Sequence, residues 1–116
     1  MCGLTAYFSL GDEAISIKKF VEINNAIKHR GPDDEGYYFA NNSDDITVAG
    51  GKDTPEDVIT NKKLHHLPDY VLDYDNPKTY KYAIGHRRLS ICDVTSAGHQ
   101  PYFEKNYNSI LIFNGE

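Results

Sequence analysis

The residue with the most chemical potential in this sequence is a cysteine in the second position, Cys2. Removal of the initiator Met1 places its thiol and an α-amino group on one residue. A free thiol titrates at about 8.5 and an α-amine at about 7.7–8.0, so the amine is a base suited to neutral pH. An amine next to a side-chain nucleophile is a recognised means of activating it. Gly3 follows, and its missing Cβ leaves room for a ligand near the backbone. The plainer reading of Cys2 is a small apolar residue opening a strand; the rest of the chain decides between the two. A second cluster, His65-His66 with Asp69, Asp73 and Asp75, has metal-ligand residue types. Adjacent histidines diverge on a strand or helix, and the spacing matches no ligand pattern. A solvated loop is the expectation there, with no metal site.

The elements that must position Cys2 follow from periodicity. Leu4, Ala6 and Phe8 alternate with Thr5, Tyr7 and Ser9, which predicts a half-buried strand with the cysteine at its free tip. After Gly11-Asp12, with Asp12 or Ser16 as cap, Ile17, Phe20, Val21, Asn24 and Ile27 predict an amphipathic helix over 14–29. Gly31-Pro32 ends it. A loop, His29 to Gly36, leads to a short aromatic strand, Tyr37 to Ala40. Residues 42–81 change character: a strand at Ile46 to Val48, then a short helix capped by Thr54 with Pro55 first, within a mostly polar surface excursion. Tyr82 to Ile91 is an alternating strand that ends basic, and Tyr102-Phe103 a brief one. Ser109 to Phe113, the most apolar run, predicts a strand covered on both faces and delivers Asn114-Gly115-Glu116.

Size and composition bound the possibilities. A chain of 116 residues fits one domain or part of one. Apolar content of 40% and charged content of 25% are those of an ordinary globular protein. A net charge of −5, with twelve scattered Lys and Arg, argues against nucleic acid. No apolar run reaches membrane-spanning length and no signal segment precedes the first strand, so a cytoplasmic location without a membrane partner is expected. Two cysteines make no disulfide framework, and both are expected to be free thiols, Cys92 as a core or strand residue.

Cys2-Gly3, HRGPDDEG at 29–36, GHRRLSI at 85–91 and FNGE at 113–116 occur in that order. In this combination the chain resembles the glutaminase domain of class II glutamine amidotransferases, in the branch of the glutamine-hydrolysing asparagine synthetases. The resemblance implies an α+β fold of the N-terminal-nucleophile type, antiparallel sheets stacked between helices. It implies L-glutamine as ligand and Cys2 as nucleophile, with its own amine as base. An oxyanion hole would come from the Asn114 side-chain amide and the Gly115 N–H, though this dipeptide alone is a hairpin-turn signature. Arg88, otherwise a plausible surface ion-pair residue, would grip the ligand's α-carboxylate with its planar fork. Glu116 would meet the ammonium, and Leu89, Ser90, Ile91 and Cys92 would line the same ligand. Arg30 and Asp33 match a motif that supports the pocket.

The same resemblance implies that 1–116 is the N-terminal part of such a domain, incomplete at its C-terminus and with an inserted segment at about 42–81. It implies no cofactor for glutamine hydrolysis. ATP and Mg2+ would serve only an absent C-terminal synthetase domain that amidates a carboxylate, aspartate in the named branch, and the full-length protein could be a homodimer. A chain ending at the Asn-Gly-Glu motif is expected to leave its last apolar strand uncovered, to self-associate and to hydrolyse little glutamine. The competing readings are a non-catalytic structural or regulatory module and an inactive fragment.

Overall fold

The computed structural model describes residues 1–115. The chain runs β1 (Gly3–Phe8), β2 (Ile15–Ser16), α1 (Ile17–Asn25), β3 (Asp34–Asn42), β4 (Asp45–Gly50), α2 (Glu56–Thr60), β5 (Thr79–Tyr80), β6 (Tyr82–Arg88), β7 (Tyr102–Glu104) and β8 (Ser109–Leu111). β1, β6, β3 and β4 form one antiparallel sheet in that order, while β2 with β5 and β7 with β8 form two-stranded ribbons. The fold is therefore α+β with antiparallel sheets and few helices.

One face of the sheet is closed by α1. The Ser16 hydroxyl caps this helix by accepting from Lys19 N at 3.1 Å. Ile17, Phe20 and Val21 then meet Tyr37, Phe39, Ala49 and Ala83 of the sheet, with Leu72 and Tyr80 completing the core. The Phe20 ring stands edge-on to Phe39, with centroids 5.5 Å apart, an arrangement that the ring quadrupoles favour. Gly85 lies beneath a Thr5–Asn24 hydrogen bond of 2.8 Å, where a Cβ would strike both side chains.

Several elements differ from the sequence-based expectation. The predicted helix over 14–29 is α1 alone, followed by a 3-10 turn at Lys28–Arg30; Ile15 and Ser16 pair with β5 instead. β1 has the predicted alternation, but its apolar set faces the open side. Leu4 is 39% and Phe8 59% exposed, because α1 lies over Thr5 and Tyr7. Thr54 does not cap α2, whose cap is Pro55. Its hydroxyl donates to the Glu35 carbonyl at 2.5 Å and accepts from Gly51 N at 2.7 Å. The stretch 42–81 is not simply a surface excursion: β4 joins the sheet, and Val58, Leu67, Leu72 and Tyr80 are buried. The final apolar run is not a covered strand. Among the described residues β8 pairs only with β7, and Leu111 and Phe113 are 63% and 56% exposed.

Candidate functional site

The pairing of β1 with β6 sets the site. Gly3 lies opposite Arg87, so the cysteine before the one strand meets the residues after the other. Leu89 N–H donates to Cys2 Sγ at 3.4 Å, and the Leu89 carbonyl is 3.9 Å from the same sulfur. Arg30 and Asp33, ahead of β3, brace the two segments. Arg30 Nε donates to the Cys2 carbonyl at 3.1 Å. Asp33 N–H donates to the Arg88 carbonyl at 3.0 Å, while its carboxylate accepts from Ser90 N at 2.8 Å. Gly31 lies so close to β6 that a Cβ would collide with the Arg87 carbonyl.

Consecutive arginines on β6 point to opposite faces, as strand alternation requires. Arg87 is fully buried on the α1 side, with Nη1 2.7 Å from Glu35 and Nη2 2.9 Å from Asp53. Lys28 adds a 2.8 Å contact to Asp53. Burial pushes the Asp53 carboxyl up, but hydrogen bonds from Lys28 and Arg87 outweigh it and hold the group below its ordinary value. This network ties β6, β3 and the 51–54 turn together behind the site. Arg88 points the other way. Its guanidinium donates to the Thr95 carbonyl at 2.7 Å and to the Asp93 carbonyl. Gly98 leaves the room it occupies. A guanidinium has five N–H donors, so these two bonds fix its plane and leave others for a ligand.

In front of these groups is a pocket of about 200 Å³. Met1, Cys2, Arg88, Leu89, Ile91, Cys92, Asp93, Gly98, Gln100 and Gly115 line it. The pocket thus brings together most of the residues singled out in the sequence. Ser90 is not among the lining residues, and its N–H is taken by Asp33. Asn114 stands next to the lining Gly115, with its Oδ1 buried and without a hydrogen-bond partner among the described residues. Glu116 lies outside the described residues. Cys92 is an exposed thiol, not the core or strand residue expected, because β6 ends at Arg88 and the following turn runs over the surface. Asp93 is a lining residue that the sequence reading passed over. Its carboxyl is held below the usual range, chiefly by the Thr95 hydroxyl and N–H. The Asp-Val-Thr spacing is a turn signature that could have drawn attention to it.

His86, also unassigned in the sequence, is buried between Arg87 and the centre of β6, with Nε2 donating to the Phe113 carbonyl at 3.2 Å. Burial pulls its pKa from 6.5 down to about 4. The fold therefore favours the neutral ring, whereas the unfolded chain takes up a proton below about 6.5. Stability from this group is complete above pH 6.5 and is lost as pH falls towards 4, on the order of 3 kcal/mol in all. Buried His66 is lowered in the same direction and adds to the trend. Urea midpoints should be clearly lower at pH 4.5 than at pH 7, and the difference should shrink in His86→Gln. An acid-insensitive midpoint would contradict this assignment.

The other histidine cluster is structural. His65 Nε2 is 2.9 Å from Glu104, and His66 stacks on Tyr102 at 4.2 Å between centroids. Among the described residues, no group of three or more His, Cys, Asp or Glu is placed to hold a metal ion. No described helix is long and apolar enough to cross a membrane.

The structure is thus an α+β fold in which a thiol just ahead of the first strand shares one pocket with a buried arginine and Gly115. The family described as glutamine amidotransferase domain matches residues 52–116, and the chain belongs to that family. Its resemblance within the family is to the N-terminal amidotransferase domain of the asparagine synthetase branch. A Methanocaldococcus jannaschii protein named "Putative asparagine synthetase (glutamine-hydrolyzing) 2" is 31% identical over 101 residues, covering 87% of this chain and 13% of that protein. Asparagine synthetase B (glutamine-hydrolyzing) of Escherichia coli is 26% identical over 117 residues, covering 100% of this chain and 14% of the relative. The chain thus spans about one seventh of the length of these curated relatives. No solved structure matches it.

Proposed function

We propose that this chain carries the site for hydrolysis of L-glutamine to glutamate and ammonia, with Cys2 as nucleophile. The observation that carries this reading is the single pocket lined by Cys2, Arg88 and Gly115, within a chain of the amidotransferase family. Met1 stands at the pocket wall and is 63% exposed, so its removal is sterically open and would free the Cys2 amine. That amine takes the thiol proton as Sγ attacks the side-chain amide carbon. The proton passes to the leaving nitrogen as the C–N bond breaks, and ammonia departs. Water then cleaves the thioester and releases glutamate. Asn114 and Gly115 supply N–H donors for the oxyanion, and Leu89 and Cys92 offer backbone groups along the bound amino acid. Ammonia and glutamate formed in equal amounts from glutamine alone, by the full natural polypeptide, is the test; no release would refute the reading.

Two further elements belong to the same proposal. The fold is of the N-terminal-nucleophile type, and the open face carrying Leu4, Ala6 and Phe8 suits the second stacked sheet. The ammonia serves a synthetase site elsewhere in the polypeptide, where ATP and magnesium activate a carboxylate, aspartate by analogy with the relatives' names.

Arg88 sets glutamine affinity in this scheme. Arg88→Lys keeps the charge but loses the planar fork and the bonds to Asp93 and Thr95 that orient it. The expected result is a KM raised roughly tenfold with kcat much less affected, as for a group that binds ground state and transition state alike. An unchanged KM would remove Arg88 from the binding site.

A further inference from the structure

We infer that His86 and Gln100 are positioning residues for the Asn114-Gly115 donor pair, acting by holding Phe113 through both of its backbone groups. This rests on the oxyanion role proposed above. The Phe113 N–H donates to Gln100 Oε1 at 2.6 Å, and the Phe113 carbonyl accepts from His86 Nε2 at 3.2 Å. The clamp matters because, among the described residues, these two are the hydrogen bonds that hold this stretch. β8 ends at Leu111, so residues 112–115 lie beyond its ladder, and the Phe113 side chain is largely exposed.

Each half of the clamp is itself anchored. His86 is almost fully buried in β6, opposite Gly36 of β3. Gln100 follows His99, whose Nδ1 is 2.7 Å from Asp34 Oδ2, with both side chains buried. Gly36 permits this approach, since a Cβ there would collide with the Gln100 carbonyl and the His99 ring. The anchor therefore runs from the central strands of the sheet to the peptide immediately before Asn114. An oxyanion donor works only if it is already aimed where charge develops. A loosened clamp should consequently slow the chemical step and leave substrate binding nearly intact.

The test uses Gln100→Leu, which removes the acceptor, and Gln100→Glu, which restores one of similar shape. Amide hydrogen exchange on this chain should be about tenfold faster at Phe113 in Gln100→Leu, with the amides of β1 and β6 unchanged. In the full natural polypeptide, Gln100→Leu should lower kcat for glutamine hydrolysis about tenfold with KM within about twofold, and Gln100→Glu should recover most of it. Unaltered exchange at Phe113, a change in KM alone, or no recovery with glutamate would overturn the inference. Asn114→Ala separates the two levels. If that variant keeps full kcat, or the wild type does not turn over, the oxyanion reading falls and takes the positioning role with it. If Asn114→Ala slows turnover and Gln100→Leu does not, only the clamp is wrong.

Discussion

Cys2→Ala, introduced into the full natural polypeptide, is expected to abolish release of glutamate and ammonia from glutamine while leaving glutamine binding in place. The expected fall in kcat is roughly 10⁴-fold or more, the scale seen when an acyl-transfer enzyme loses its nucleophile. Binding survives because the groups assigned to the amino-acid end of the ligand are untouched. Arg88 is oriented by the Asp93 and Thr95 carbonyls, not by the thiol. The backbone of residues 88–90 is held by Asp33. Cys92, the other thiol in these 116 residues, has its nitrogen within a peptide bond and so lacks an adjacent amine base. Steady-state turnover and equilibrium binding of glutamine, measured on the same variant, check both halves. Substantial residual turnover would mean that the nucleophile is another group.

Asn114→Ala has the next largest effect, and of a different kind. Removing one donor from an oxyanion hole typically costs about 10²–10³ in kcat, or about 2.7–4 kcal/mol. The loss should fall on kcat and kcat/KM together, because the donor acts on charge that exists only in the transition state. Its Oδ1 has no partner among the described residues, so truncation breaks no hydrogen bond through that atom and should leave the fold intact. Circular dichroism and the urea midpoint provide that control. A variant whose KM rose while kcat held would place Asn114 in ground-state binding instead.

Part of this candidate site was legible in the sequence. Alternation puts Cys2 ahead of the first strand, whereas Arg88 and Gly115 stood out only through the family resemblance: the strand expected over 82–91 overruns Arg88, where β6 ends, and the one expected to Phe113 ends at Leu111. Antiparallel pairing then brings Cys2 and Arg88 together. The supporting residues were harder to find for a physical reason. Arg87 and His86 occur in the basic end of a predicted strand, where nothing local signals burial, yet both are buried. The first is neutralised by Glu35 and Asp53 from distant positions, and the second is kept neutral by burial. Local patterns do not show partners 52 and 34 residues away. The open face of β1 was misread for a related reason. Alternation identifies two faces, but the position of α1, set by Phe20 and Asn24, decides which is covered. The run Ser109 to Phe113 has the composition of a core strand; only its pairing could show that, among the described residues, β7 alone lies beside it.

The most direct test of the central claim is a mass measurement of adducts formed with a glutamine analogue that carries an electrophile at its side-chain carbonyl. Two samples of the chain are compared, one with Met1 retained and one beginning at Cys2. One adduct is expected, on Cys2, in the processed sample, suppressed by excess glutamine and nearly absent when Met1 is retained. Equal labelling of Cys2 in both samples would show that its amine is not the base. An adduct on Cys92 in place of Cys2 would contradict the assignment of the nucleophile, and one that glutamine does not suppress would contradict the assignment of the pocket.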